Sequence, residues 1–141
     1  MSNKDSISYT TLSHILIIAL LTAVSYSNTF SNSFHFDDRY AIFEDRAIRD
    51  IGNTPAILKD IFNRPILRLT FALNYHFGGV DVFGYHLANL LLHIAVSIGV
   101  YFLSGLLFRR FVGTDAEMDS GAFSLMSALI FALHPVQTGS V

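Results

Sequence analysis

Cysteine is absent from the 141 residues, which excludes a disulfide framework and leaves the redox compartment unmarked. Charge is scarce as well. Only 14% of residues are Asp, Glu, Lys or Arg, against roughly 25% in a typical soluble domain. The net charge of −2, with no basic patch interleaved with aromatics, argues against a nucleic-acid partner. Internal repeats and low-complexity tracts are missing. So are a glycine-rich phosphate loop, a nucleophile elbow and any run with metal-ligand spacing.

What is there is apolar, at 52% of residues, and it is unevenly placed. No charged residue falls between Ser6 and Phe36, between Val82 and Phe108, or between Ser120 and Val141. Stretches of that kind separated by charged loops have the layout of a polytopic membrane protein, and apolar runs in lipid must be helical to satisfy their own backbone. The expectation is therefore an all-α membrane fold with spans near 12–30, 82–108 and 122–133. Crossing the hydrocarbon core takes about 20 mainly apolar residues. The first run, with "ILIIALLTAV" at its centre, meets this, whereas Ala122–Leu133 is too short to cross unaided. Ala23-Val24-Ser25 would pass as a signal-peptidase site, but Lys4 is offset by Asp5 and more apolar runs follow, so an uncleaved signal-anchor is expected.

Residues 31–81 form a long loop with six basic and seven acidic side chains. Within it, 55–62 and 65–73 carry apolar residues at helical spacing, the second with Pro65 in its first turn and Gly78-Gly79 at its end. Such helices suit either the membrane interface or packing on other helices. Asp81 is placed to cap the second span and Arg109-Arg110 to close it, before a short acidic loop over 113–121. Basic residues beside short loops mark the cytoplasmic side. This puts Arg109-Arg110 inside, and the 31–81 loop and His134-Pro135 together outside.

Asp37-Asp38 is the first chemical candidate. A carboxylate within reach of a hydroxyl can take its proton, and a second acid can hold the first in place. A solvated loop after a span is the commoner use of such a pair, yet Phe34, Phe36, Tyr40 and Ile42 surround this one. Glu44 and Asp45 read as exposed loop acids. His86, Asn89, His93, Ser97, Tyr101 and Ser104 recur at steps of three or four and share one helix face. His86 and His93 lie about 10.5 Å apart along a helix axis, too far to chelate one ion. Hydrogen bonding between helices is the expected role of the stripe, with His86 best placed beside a substrate cavity. Arg64 and Arg68, at i and i+4, could grip a phosphate or reach lipid headgroups.

Four stretches then occur in order: "FHFDDRYAI", "NRPILRLTFALNYHFGG", "FGYHLANLLLH" and "ALIFALHPVQT". Together they resemble the N-terminal part of the GT-C superfamily of membrane glycosyltransferases. The similarity is to the transmembrane and tetratricopeptide-repeat O-mannosyltransferases and their bacterial relatives, and it covers roughly residues 30–138. The resemblance implies a sugar donor carried on polyprenyl phosphate and an acceptor hydroxyl on a protein or glycolipid. It implies no certain cofactor, and it leaves the part of a divalent metal open. By this resemblance Asp37 and Asp38 match the catalytic acidic pair of the first outer loop, with Asp37 as base. Beside them, Arg64, Arg68, His86 and His134 stand as the candidate substrate-binding residues. The family stretch beginning "HP" usually carries an acid where this chain has Gly139. Such enzymes have many more spans and often a tetratricopeptide-repeat tail. The expectation is thus a fragment, inactive alone, of an enzyme of the bacterial inner membrane rather than the endoplasmic reticulum. The competing reading is a small membrane protein without enzymatic activity, serving as an assembly or transport subunit.

Overall fold

The structure, a computed structural model, describes residues 8–31, 44–112 and 119–139. All regular structure among them is helical, with no strand. Among these residues α-helices run in order: α1 (Tyr9–Ser25), α2 (Thr54–Lys59), α3 (Pro65–Gly78), α4 (Val82–Phe111) and α5 (Ser120–Leu133). Short 3-10 helices cover Ser27–Ser31, Arg46–Arg49, Ile51–Asn53, Ile61–Asn63 and Pro135–Gly139. The chain forms two compact units, one of Met1–Ser27 with Leu90–Val141, the other of Asn28–Asn89.

The first unit is a bundle of α1, the Leu90–Phe111 part of α4, and α5. Its core joins Ile18, Tyr101 and Ala128, flanked by Ile98, Leu125 and Leu129. Small residues let the backbones approach: Ser97, Ser124, Ala128 and Ala132 are buried. At Gly105 an added Cβ would meet Ser124 Oγ at 2.6 Å. Close approach through small residues is how helices associate where water supplies no driving force between them. The outer faces match that solvent. Leu12, Leu16, Leu20 and Val24 of α1 are exposed, as are Leu92, Val96, Leu103 and Leu106 of α4, with Met126 and Ile130 of α5. A surface of this kind belongs in hydrocarbon.

Among the described residues, only α4 is both long and apolar enough to cross a membrane on its own. Its 30 residues span about 45 Å. The expected first span is a shorter helix: α1 has 17 residues and stops at Tyr26 before a 3-10 turn. The third, α5, has 14, or about 21 Å. Of the three expected apolar segments, the second is thus a helix of spanning length, the first is shorter than expected, and the third is as short as its sequence implies. Within the bundle, Tyr26 approaches His93 and His134 at one end. Thr10, Arg109 and Asp119 share a cavity at the other. Arg109 and His134 thus lie at opposite ends of the bundle.

The second unit is built around Ile48, Ile57, Phe71, Ala72 and Tyr85, with Ala47 and Leu67 against them. The expected helix over 55–62 ends sooner: Asp60 breaks α2, and 61–63 continue as a 3-10 turn. Arg64 then adopts a left-handed backbone (φ 50°, ψ 63°). That conformation costs a non-glycine residue roughly 1 kcal/mol or more. It turns the chain sharply into α3, whose first residue is Pro65. Gly79, also at positive φ (62°), ends α3, and its carbonyl accepts the Tyr85 hydroxyl at 2.9 Å. Of the two uses expected of this amphipathic helix, packing is seen: α3 buries Phe71 and Ala72 in the core, while Ile66, Leu73 and Phe77 stay exposed.

Candidate functional site

Asp45 opens the loop unit's polar cluster. It caps the Arg46–Arg49 turn, its Oδ1 accepting the Ala47 N–H at 2.9 Å. One helical turn into α3, Arg68 reaches back to it. Arg68 Nε donates to Asp45 Oδ2 at 2.7 Å and a terminal guanidinium nitrogen to Oδ1 at 3.1 Å. This is the two-pronged geometry that suits Arg to carboxylates. The other terminal nitrogen donates to Asp60 Oδ2 at 3.1 Å. Burial of Asp45 pushes its carboxyl pKa up, but the bonds from Arg68 and the Ala47 N–H, with the Arg68 charge, outweigh that and hold it below its ordinary value. The same bond to Asp45 raises Arg68.

This cluster corrects one expectation. Asp45 is not an exposed loop acid; it is half-buried and tied to α3. Sequence reasoning missed it because the partner lies 23 residues away. For Arg68, the cluster shows a structural role: it clasps two carboxylates and so pins α3 to the segments before it. Arg64 does not join the cluster through any such bond; its side chain is exposed at the left-handed corner before Pro65. Arg49 lies over the Tyr75 ring, 6.0 Å from its centroid, a cation–π contact.

His86 is half-buried near the start of α4. Further along, the polar stripe works as an adhesive inside the bundle. His93 Nε2 is 3.0 Å from the Ala132 carbonyl, to which it can donate, and its ring meets Tyr26 edge-on at 5.3 Å. Tyr101 pairs with His14 Nδ1 at 3.1 Å. Ser97 and Ser104 instead bond back to carbonyls of their own helix, His93 and Tyr101. His14 went unnoticed in the sequence, although a histidine within an apolar run is itself a signal for a partner. His134 ends α5 with an exposed ring whose Nδ1 accepts the Val136 N–H at 3.1 Å. Its carbonyl accepts the Tyr26 hydroxyl at 3.3 Å. His134 therefore shapes the turn into Pro135–Gly139.

Asp37 and Asp38 lie outside the described residues. Among those described, no group of three or more histidines and acids is placed to hold a metal ion.

Comparison with known proteins adds what the geometry cannot. The chain is 33% identical to the protein O-mannosyl-transferase tmtc2 of Xenopus laevis over 141 aligned positions, which cover 89% of this chain. It is 31% identical to Tmtc3 of Drosophila melanogaster over 92% of this chain, and 28% identical to Drosophila Tmtc1 over 99%. The chain resembles the TMTC-type protein O-mannosyl-transferases. It spans 15–17% of the length of these relatives. No protein-family profile matches the chain. No solved structure matches it. With the apolar outer faces of the bundle, the TMTC resemblance places the chain in a membrane. The TMTC proteins compared come from animals, which gives no support to the expected bacterial inner membrane.

Proposed function

We propose that this chain serves a membrane glycosyltransferase that moves a sugar, mannose by the relatives' names, from a polyprenyl-phosphate carrier to a protein hydroxyl. The observation that carries this reading is identity near 30% along nearly the whole chain with proteins named as O-mannosyl-transferases. Asp37 accepts the proton of the acceptor hydroxyl as its oxygen bonds to the anomeric carbon. The bond from that carbon to the phosphate oxygen breaks, and the lipid phosphate leaves as an anion. A phosphate leaves without help from a general acid. Asp38 holds Asp37 in position.

The remaining roles follow from chemistry of the same kind. Arg64, exposed at its strained corner, is the cation offered to the donor phosphate. Arg68 acts on the site by fixing the loop that carries Arg64. His86 and His134 are assigned to the sugar and acceptor side, where their ring nitrogens can bond hydroxyls. Ile66, Leu73 and Phe77 on α3 suit contact with the acyl boundary, where the carrier's tail lies. In this reading the 31–81 loop and His134 face the same side, opposite Arg109-Arg110. The bacterial inner membrane is not required, since any membrane with polyprenyl-phosphate sugars can supply the donor.

The test is sugar transfer to a peptide acceptor by membranes containing the glycosyltransferase that this chain serves, with labelled polyprenyl-phosphate mannose as donor. The reading predicts labelled peptide from this donor and none from a nucleotide sugar when lipid-linked sugar synthesis is blocked. Transfer only from the nucleotide sugar would overturn it.

A further inference from the structure

At the end of the bundle that carries Arg109, α1, α4 and α5 line an open cavity of about 310 Å³. Its walls are polar although the helices around it are apolar. Thr10 and Thr11 contribute hydroxyls from the first turn of α1, Tyr101 and Ser124 from α4 and α5, and Arg109 and Asp119 bring opposite charges. The charged pair is held by the backbone. Arg109 Nε donates to the Gly105 carbonyl at 3.2 Å. Asp119 Oδ2 accepts the Ala122 N–H at 3.0 Å. Tyr101 is braced by His14. Outside, the surface turns apolar at once: Leu12 of α1 and Phe102, Leu106 and Phe111 of α4 are exposed.

A polar chamber opening onto an apolar flank fits an amphiphile. We propose that this cavity binds the headgroup of a phospholipid, a phosphodiester with a hydrogen-bond-donating terminus, best met by phosphoethanolamine. The phosphate sits against the Arg109 guanidinium, which forms charge-assisted bonds to phosphate oxygens, and the threonine hydroxyls complete its shell. Asp119 accepts from the terminal ammonium. Choline has no N–H to give, so a choline headgroup forgoes this charged hydrogen bond, and the carboxylate keeps the Ala122 N–H alone of the protein's donors. The acyl chains run along Phe102 and Leu106 into the bilayer. The site is independent of the transfer reaction and is read out separately from it.

The test is native mass spectrometry of the full chain released from detergent with equal amounts of dioleoyl-phosphatidylethanolamine and dioleoyl-phosphatidylcholine. The proposal predicts one retained ethanolamine lipid, favoured on the order of 10-fold over choline, the size expected of one charged hydrogen bond. Arg109→Gln should lower retention about as much, with Arg110→Gln, outside the cavity wall, as the control that stays at the wild-type level. Asp119→Asn should make the two lipids equal while keeping α5 capped, since Asn caps as well as Asp; circular dichroism checks the helix. Equal retention of both lipids by the wild type would overturn the proposal. So would equal losses in the Arg109 and Arg110 variants, which would mean ordinary charge attraction to surrounding lipid. Soluble phosphoethanolamine displacing the lipid at equal concentration would reject a lipid as the ligand.

Discussion

The bundle and the loop unit use polar groups in opposite ways. In the bundle, polar side chains point inward and bond to carbonyls or to each other: His93 to Ala132, Tyr101 to His14, Thr22 to Ile18. No ion pair is recorded there among the described residues. In the loop unit a charged cluster, Arg68 with Asp45 and Asp60, joins segments that share only a small apolar core. The difference follows from the surroundings. Isolated charges are too costly in hydrocarbon, so helices there join through small residues and neutral hydrogen bonds. At a wet boundary a partly buried Arg can clasp two carboxylates and fix a loop that has too few residues for a large core.

Removing the clasp should give the largest change in stability. Arg68→Met leaves Asp45 half-buried without its cation and should destabilise the loop unit by roughly 2 kcal/mol. Hydrogen exchange should then speed up across 45–78 and stay unchanged in α5. Acid should do the same by another route. Because the folded pKa of Asp45 is lowered, its contribution is complete above the unfolded value of about 3.9 and is lost as pH falls through the lower folded value. Proteolysis within 44–79 should therefore increase below about pH 4, and the Arg68→Met variant should show little of this dependence. A smaller effect is expected at the helix crossing. Gly105→Ala should weaken the bundle by about 1 kcal/mol, because its methyl would overlap Ser124 Oγ. Ser124→Ala in the same chain should relieve this, since the Ser124 Cβ lies at an ordinary 3.7 Å. The smallest change is expected from His93→Leu, about 0.6 kcal/mol, the mean for a hydrogen bond between membrane helices. Thermal unfolding in detergent would rank the last two. Equal sensitivity of both units to pH would break the contrast between them.

Much of the fold was legible because it rests on local signals. Apolar runs free of charge marked α1, α4 and α5. Pro65 and Gly79 bounded α3, and Asp81 capped α4, its Oδ1 accepting the Phe83 N–H at 3.0 Å. The i, i+3, i+4 stripe on α4 foretold its role in joining helices, through His93 and Tyr101. What was hidden depends on distance along the chain. Asp45 looked like any loop acid until Arg68 was placed beside it. The break at Asp60 and the left-handed Arg64 follow from the way α2 and α3 meet, which periodicity does not encode. The proposed chemistry rests on resemblance, because Asp37-Asp38 has no pattern of its own beyond two acids in an apolar ribbon.

The central claim is that this pair performs the transfer, and it is tested most directly by Asp37→Asn. The amide keeps the size of the carboxylate but is no base at neutral pH. General-base catalysis contributes 10²–10⁴-fold, so sugar transfer from polyprenyl-phosphate mannose by the glycosyltransferase that this chain serves should fall on the order of 100-fold or more. Protease resistance of 44–79 should remain at the wild-type level, since the Arg68 clasp is untouched. Transfer by Asp37→Asn at the wild-type rate would contradict the account.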